Sequence, residues 1–401
     1  MKKTSLFLLF FFIGSIGLAQ DPIRIIKTGS SDSRFDFSGF STTTGSGGDF
    51  YQSLRKNLTL PSMFSEVPPS SATHRILGDA VSKGSKIEVT VQVIERGGNQ
   101  RVYGKRFTVA TNQLEGLART VSDEITEQLT KRPGFASKRI IFVGQRSGDV
   151  SKDIYAVFPD GGGLAQLTRD RAVVLAPKWA PDGESITYTS FRSGFPDIYQ
   201  HRLNPPGRKK ISSSSGMNSG GTISPDGRKL ALVLSKDGKP ELYVKSLSSG
   251  TLVRLTNTSM SAKSSPSWSP DGREIVFVSG HQGIPNLYTI SVNGGKLRRI
   301  TRGGGQNLSP NWGKNGLITF TRRRGGLFQI AVLNPQTSDV QFVSPQDADY
   351  EDPSWAADGF HIVASRTIRG QSALYLLDMQ GKGAKSLLQG QGNWYMPNFR
   401  P

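Results

Sequence analysis

Pro266-Ser267-Trp268-Ser269-Pro270-Asp271-Gly272 is echoed by Pro177-Lys178-Trp179-Ala180-Pro181-Asp182-Gly183 and by Pro353-Ser354-Trp355-Ala356-Ala357-Asp358-Gly359. Two looser copies, Gly221-Thr222-Ile223-Ser224-Pro225-Asp226-Gly227 and Pro310-Asn311-Trp312-Gly313-Lys314-Asn315-Gly316, fall in the same register. The copies start at residues 177, 221, 266, 310 and 353. A fixed period of this length marks a repeat architecture whose units must stack to bury their apolar faces.

An apolar run follows each Asp-Gly or Asn-Gly, as in Ser185-Ile186-Thr187-Tyr188, Leu230-Ala231-Leu232-Val233 and Glu274-Ile275-Val276-Phe277. These read as buried strands, with the Asp-Gly pair expected to make a tight turn that takes positive φ at both central positions. A further strand begins at Asp153-Ile154-Tyr155, Asp197-Ile198-Tyr199, Glu241-Leu242-Tyr243, Asn286-Leu287-Tyr288, Leu327-Phe328 and Leu374-Tyr375. With an outer segment such as Gln166-Leu167-Thr168 or Arg299-Ile300-Thr301, each unit has four strands, the size of one propeller blade. The first unit, from Arg139-Ile140-Ile141-Phe142, lacks its Pro-x-Trp strand, while Pro397-Asn398-Phe399-Arg400-Pro401 is a strand without a unit. Joining the two closes a ring and removes both open edges.

Residues 20–132 contain no Trp and no repeat. Strands are expected at Ile87–Ile94 and Arg106–Ala110, and a helix at Asn112–Thr130 with Leu114, Leu117, Val121, Ile125 and Leu129 on one face. Residues 29–48, rich in Ser, Thr and Gly, read as a loop. The expected fold is thus a small α/β amino-terminal domain (20–132) plus an all-β six-bladed β-propeller (133–401) closed by the C-terminal strand.

Residues 1–19 carry Lys2 and Lys3, an apolar run from Leu6 to Leu18, and Gly17 and Ala19 at signal-peptidase spacing. That pattern predicts export to the periplasm, and the run is too short to span a bilayer. No transmembrane segment is expected in the mature chain. The 401 residues include no Cys, which excludes disulfides, thiolate metal sites and a cysteine lipid anchor. The formal charge of +19 would point to nucleic acid in a cytosolic protein; in an exported one it points to acidic proteins or anionic envelope surfaces instead.

Catalytic constellations are missing from the sequence. There is no Gly-x-Ser-x-Gly elbow, and His74, His201, His281 and His361 are scattered. Gly161-Gly162-Gly163 and Gly303-Gly304-Gly305 lack the Lys-Ser/Thr of a phosphate loop. Asp182, Asp226, Asp271 and Asp358 recur beside Gly as turn residues rather than as a carboxylate cluster. Neither catalysis, a metal nor a cofactor is expected, and a monomer is.

The Trp-Ser-Pro-Asp-Gly repeats, the terminal Pro397-Asn398-Phe399-Arg400-Pro401, the helix containing Ser122-Asp123-Glu124-Ile125 and the junction Gly134-Phe135-Ala136-Ser137-Lys138-Arg139-Ile140 resemble those of the TolB family, periplasmic components of the Tol-Pal envelope system. The resemblance covers nearly the whole chain. It implies a scaffold that binds a Pal-like peptidoglycan-associated lipoprotein at the propeller mouth and a TolA-like inner-membrane protein through the mature amino terminus. It also implies roles in envelope integrity and in outer-membrane constriction during division. Two features depart from the family: the Ser/Gly-rich stretch 41–48, and Lys27 where an acidic residue is usual. The alternatives are a secreted propeller hydrolase or lactonase with a central metal, and a generic peptide- or sugar-binding propeller.

The mouth site is expected on residues leading into each Pro-x-Trp strand, because these vary while the strands repeat. They are Met217, Asn218, Ser264, Ser265, Asn307, Asp349, Tyr350, Glu351, Trp394 and Tyr395, with Tyr350, Trp394 and Tyr395 as the expected anchors. The second site is the segment Ile23-Arg24-Ile25-Ile26-Lys27, which is expected either to complete a strand of the small domain or to leave it and pair with a partner.

Overall fold

In the computed structural model, residues 33–41, 45–258, 262–280, 283–382 and 384–401 are described. The signal-peptide residues, the segment Ile23–Lys27 and His281 lie outside them. Each repeat folds as one four-stranded antiparallel sheet, and six such sheets follow one another around a ring. The strand Gly392–Phe399 pairs antiparallel with Ile140–Arg146 and supplies the innermost strand of the first blade, so the ring closes on its own C-terminal segment.

In the second to sixth blades the repeat strand, Trp-bearing except for Ile223 in the third, is innermost and ends in the expected turn, though with different chemistry. In Ala180-Pro181-Asp182-Gly183 the Gly183 amide donates to the Ala180 carbonyl and only Gly183 has positive φ, at 65°. Asp182 stays at negative φ, and its Oδ1 accepts the amides of Glu184 and Ser185 at 2.8 and 3.1 Å. Pro at the second position and Asp capping the next strand make a type I turn followed by a left-handed Gly, not a two-residue hairpin loop.

In the first, third and fourth blades the polar residue opening the third strand, Asp153, Glu241 or Asn286, is buried and locked by a Thr of the outer segment. Asp153 accepts the Thr168 hydroxyl at 2.8 Å, and that hydroxyl accepts the Ile154 amide at 2.9 Å. The pattern recurs with Asn286, Thr301 and Leu287. In these three blades one Thr thus satisfies a buried acceptor and a strand amide together, as buried polar groups require.

The amino-terminal part is a five-stranded sheet. Its elements are β1 (Arg34–Phe40), α1 (Gly45–Leu58), β2 (Ser65–Glu66), β3 (His74–Lys83), β4 (Lys86–Glu95), β5 (Gln100–Ala110) and α2 (Leu114–Thr130), with strand order β2-β1-β3-β4-β5. Residues 34–40 correct the expectation of a loop over 29–48. Phe35, Phe37 and Phe40 are buried under α1 and α2, an apolar pattern hidden by the Ser, Gly and Thr around it. Gly39 is required there, because a Cβ would lie on the Leu77 side chain and the Ile76 carbonyl.

The small domain docks on the end of the propeller where the inner strands finish. The Ser62 hydroxyl donates to Asp378 at 2.5 Å, and Arg119 of α2 pairs with Asp160 at 2.8 Å. His361, 1% exposed, faces Asp358 Oδ2 at 2.5 Å through Nδ1 and the Pro61 carbonyl at 2.7 Å through Nε2. Both ring nitrogens thus face an oxygen, one in the propeller and one in the small domain. Burial raises the Asp358 carboxyl, but the facing His361 outweighs it and holds the group below its ordinary range. At the junction, Asp123 accepts the Ala136 and Ser137 amides at 2.6 and 3.0 Å, and Phe135 packs on His361 and Phe399.

Candidate functional site at the propeller mouth

The opposite end of the ring, where the inner strands begin, opens into the central channel. All six inner strands carry a register shift there. At each shift one residue takes the left-handed region: Ala176, Gly220, Ser265, Ser309, Asp352 and Met396, with φ between 48 and 69°. Five of these six are not Gly and stand directly before Pro, where such a backbone costs about 1–2 kcal/mol each. Strain repeated in one ring of residues is held by the surrounding sheet and recurs at functional sites. The six line one cavity with the following prolines.

Below this ring, side chains tie each blade to the next. Ser267 Oγ accepts the Trp312 amide at 3.0 Å and Asn311 Oδ1 the Trp355 amide at 2.9 Å. Ser354 Oγ accepts the Phe399 amide at 3.1 Å, and Asn398 Oδ1 the Trp179 amide at 2.8 Å. Lys178 holds the equivalent place in the second blade, and having no acceptor it leaves a gap in this girdle.

The structure sorts the expected mouth residues by strand geometry. The residue three places before each Pro, or before Gly221 in the third blade, points between blades. Val174, Asn218, Lys263, Asn307, Tyr350 and Trp394 are all at most 1% exposed. This corrects four expectations. Asn218 accepts the Ser212 hydroxyl and Ser214 amide, shaping its own loop, and Asn307 donates to Asn286 at 3.0 Å. Tyr350 packs edge-on against Tyr375, and Trp394 edge-on between Phe142 and Tyr155. Both are buried in cores shared with the neighbouring blade, Trp394 with Leu374 and Leu376 and Tyr350 with Ile330 and Val332, and are not free to anchor a partner. Met217, Ser265, Asp349, Glu351 and Tyr395 remain partly exposed and Ser264 exposed, with Lys152 lying 4.8 Å from the Tyr395 ring.

What sequence reasoning missed is an apolar rim. Eight large hydrophobic residues are exposed among the described residues; of these Val150, Val173, Phe191, Phe195 and Ile284 lie in loops at the mouth end and Ile368 ends a strand there. Phe195 is 72% and Val150 95% exposed. The signal was present as apolar residues in Gly- and Ser-rich turns, where packing does not call for them.

The acidic stretch Asp349–Asp352 borders the mouth. Burial, then the charges of Asp352 and Asp349, push the Glu351 carboxyl up to about 7. With a folded value above the unfolded 4.5, the folded state favours the protonated form. Glu351 therefore costs nothing below about pH 4.5, and its penalty grows until about pH 7. Glu351→Gln should raise the melting temperature by about 2–4 °C at pH 8 and leave it unchanged at pH 4.5, read by thermal denaturation at both values. Equal gains at both would remove this assignment.

His74 lies in the small domain, His201 in the second blade and His361 in the sixth. Among the described residues no three His, Asp or Glu side chains gather at metal-binding spacing.

Residues 126–401 match the family described as the TolB beta propeller domain. The chain is 35% identical over 153 residues to the Tol-Pal system protein TolB of Alcanivorax borkumensis, covering 38% of this chain and 35% of that one. It is 33% identical over 179 residues to the Tol-Pal system protein TolB of Desulfosudis oleivorans, covering 45% and 40%. The alignments thus span well under half the length of these curated relatives. The crystal structure of TolB from Acinetobacter baumannii superposes with a TM-score of 0.84 at 23% identity, over 92% of this chain and 97% of that one, a likeness of fold. With a family match over most of its length and that family's two-part fold, the chain belongs to the TolB β-propeller family.

Proposed function

We propose that this protein is a non-catalytic periplasmic scaffold of the Tol-Pal system, whose propeller mouth docks a Pal-like peptidoglycan-associated lipoprotein. The observation that carries this reading is the concentration of exposed large hydrophobics on the rim facing away from the small domain. Monomeric surfaces rarely gather such residues without a partner to cover them. Arg302, Arg322, Arg323 and Arg324 stand on the same end, so an acidic partner with apolar knobs fits best. A TolA-like inner-membrane protein would engage Ile23-Arg24-Ile25-Ile26-Lys27, and the two contacts together would couple the envelope layers during constriction.

Titration with the soluble domain of the lipoprotein tests the mouth. Phe191→Ser with Phe195→Ser should weaken binding about tenfold or more and leave the melting temperature unchanged, since exposed aromatics contribute to interfaces and not to this core. Unaltered affinity would show the rim to be the wrong face.

A further inference from the structure

The channel throat just inside the mouth holds polar groups that the fold itself leaves unmatched. Lys178 lines both the mouth cavity and the cavity below it, and its ammonium makes no hydrogen bond or ion pair. Asp352 faces the same cavity; one carboxylate oxygen accepts the Ser309 hydroxyl at 2.7 Å and the other has no partner. Lys178 and Asp352 feel each other's charge without forming an ion pair. The Thr189 hydroxyl, on a residue 2% exposed, borders the cavity with no hydrogen-bond partner at all. Around them the wall is rigid and apolar, made by Pro177, Pro266, Pro310, Pro353 and Pro397.

Each class of guest meets a different fate in such a throat. An anion is drawn to Lys178 but repelled by Asp352, and a cation the reverse. An apolar group would strip water from an ammonium, a carboxylate oxygen and a hydroxyl without replacing it, which is costly. A primary carboxamide has one acceptor and two donors on a neutral, planar frame. Its oxygen can accept from Lys178 while its nitrogen donates to Asp352 and Thr189, and no net charge is brought in. We propose that the throat at Lys178, Asp352 and Thr189 is a receptor for a carboxamide, supplied by an Asn or Gln side chain of the docked protein. That supply rests on the docking reading above; the chemistry of the throat does not.

The test uses small probes on the full mature chain, labelled for amide NMR. Butyramide should shift the resonances of Lys178, Thr189 and Ser265 saturably in about the millimolar range, while butyrate and butylammonium bind about tenfold more weakly. Lys178→Met should weaken butyramide about tenfold, and Asp352→Asn should reverse the order of butyramide and butyrate, because the repelling charge is gone. Unchanged shifts away from the channel show that each variant is folded. Butyrate binding to the wild type as well as butyramide, indifference to Lys178→Met, or no saturable shift with any probe would each overturn the proposal. These probes need no protein partner, so a failure of lipoprotein binding leaves this outcome separate.

Discussion

Deleting Asn393–Pro401 should unfold the propeller or lower its melting temperature by more than about ten degrees, the largest effect expected for any short deletion in this chain. The strand it removes pairs along Ile140–Arg146, and without it the first blade presents an open edge to the second and sixth. Trp394 is 1% exposed against Phe142 at 5.5 Å and Tyr155 at 5.6 Å, and Phe399 is 4% exposed. Emptying sites of that size costs about 3–5 kcal/mol each, against a total stability of about 5–15 kcal/mol for a typical domain. Asn398 is lost as well. It donates to Ser354 Oγ at 3.0 Å and accepts the Trp179 amide at 2.8 Å, joining blades on either side of the closure. The single change Trp394→Ala isolates the packing contribution and should cost about 3–5 kcal/mol in denaturant titration. A truncated chain that melts where the intact one does would remove ring closure as a source of stability.

That strand was legible in the sequence because it belonged to a period. A unit lacking its inner strand and an inner strand lacking its unit can be matched by counting alone, and the turn residues Asp-Gly fix where each strand ends. Periodicity could not separate the two sides of an inner strand. Asn218, Asn307, Tyr350 and Trp394 occupy variable positions, which reads as a binding surface, yet the alternation of a strand sends that position between blades. The register shifts one or two residues later turn the chain so that Ser265, Ser309 and Asp352 line the cavity instead. Nothing in Ser265 or Asp352 announces a left-handed backbone. In residues 34–40 the difficulty was composition, since Ser38 and Gly39 dilute the three buried Phe that make the strand. Phe191 and Phe195 were visible as apolar residues in turns, but their shared face exists only once the ring is built.

Asp160→Asn and Arg119→Met should each be strongly destabilising for the docked arrangement of small domain and propeller, by about 3–5 kcal/mol if the domains stay together. Arg119 Nε donates to Asp160 Oδ2 at 2.8 Å and both side chains are 5% exposed. Asp160 Oδ2 also accepts Asn57 of α1 at 3.3 Å, and the Arg119 guanidinium stacks 4.1 Å over Phe158. Removing Arg119 strands the Asp160 carboxylate, and removing Asp160 leaves the buried guanidinium only the exposed Glu115, at 3.1 Å, as its counter-charge. A two-part protein has a second response, which is to separate along this contact and let the charge become solvated, so the observed cost is capped by the docking free energy. The two responses differ in where the chain becomes accessible. Separation exposes the junction after α2, where Lys131 and Lys138 give trypsin two sites, the bond after Arg132 being closed to it by Pro133. The single variants should therefore be cut there faster than the wild type under native conditions, while the propeller itself resists. Combining both substitutions removes the stranded charge, and the double variant should recover much of the loss, giving a coupling energy of about 1–3 kcal/mol in a double-mutant cycle. If Asp160→Asn alone leaves both the melting curve and the cleavage rate unchanged, the pair does not hold the domains together.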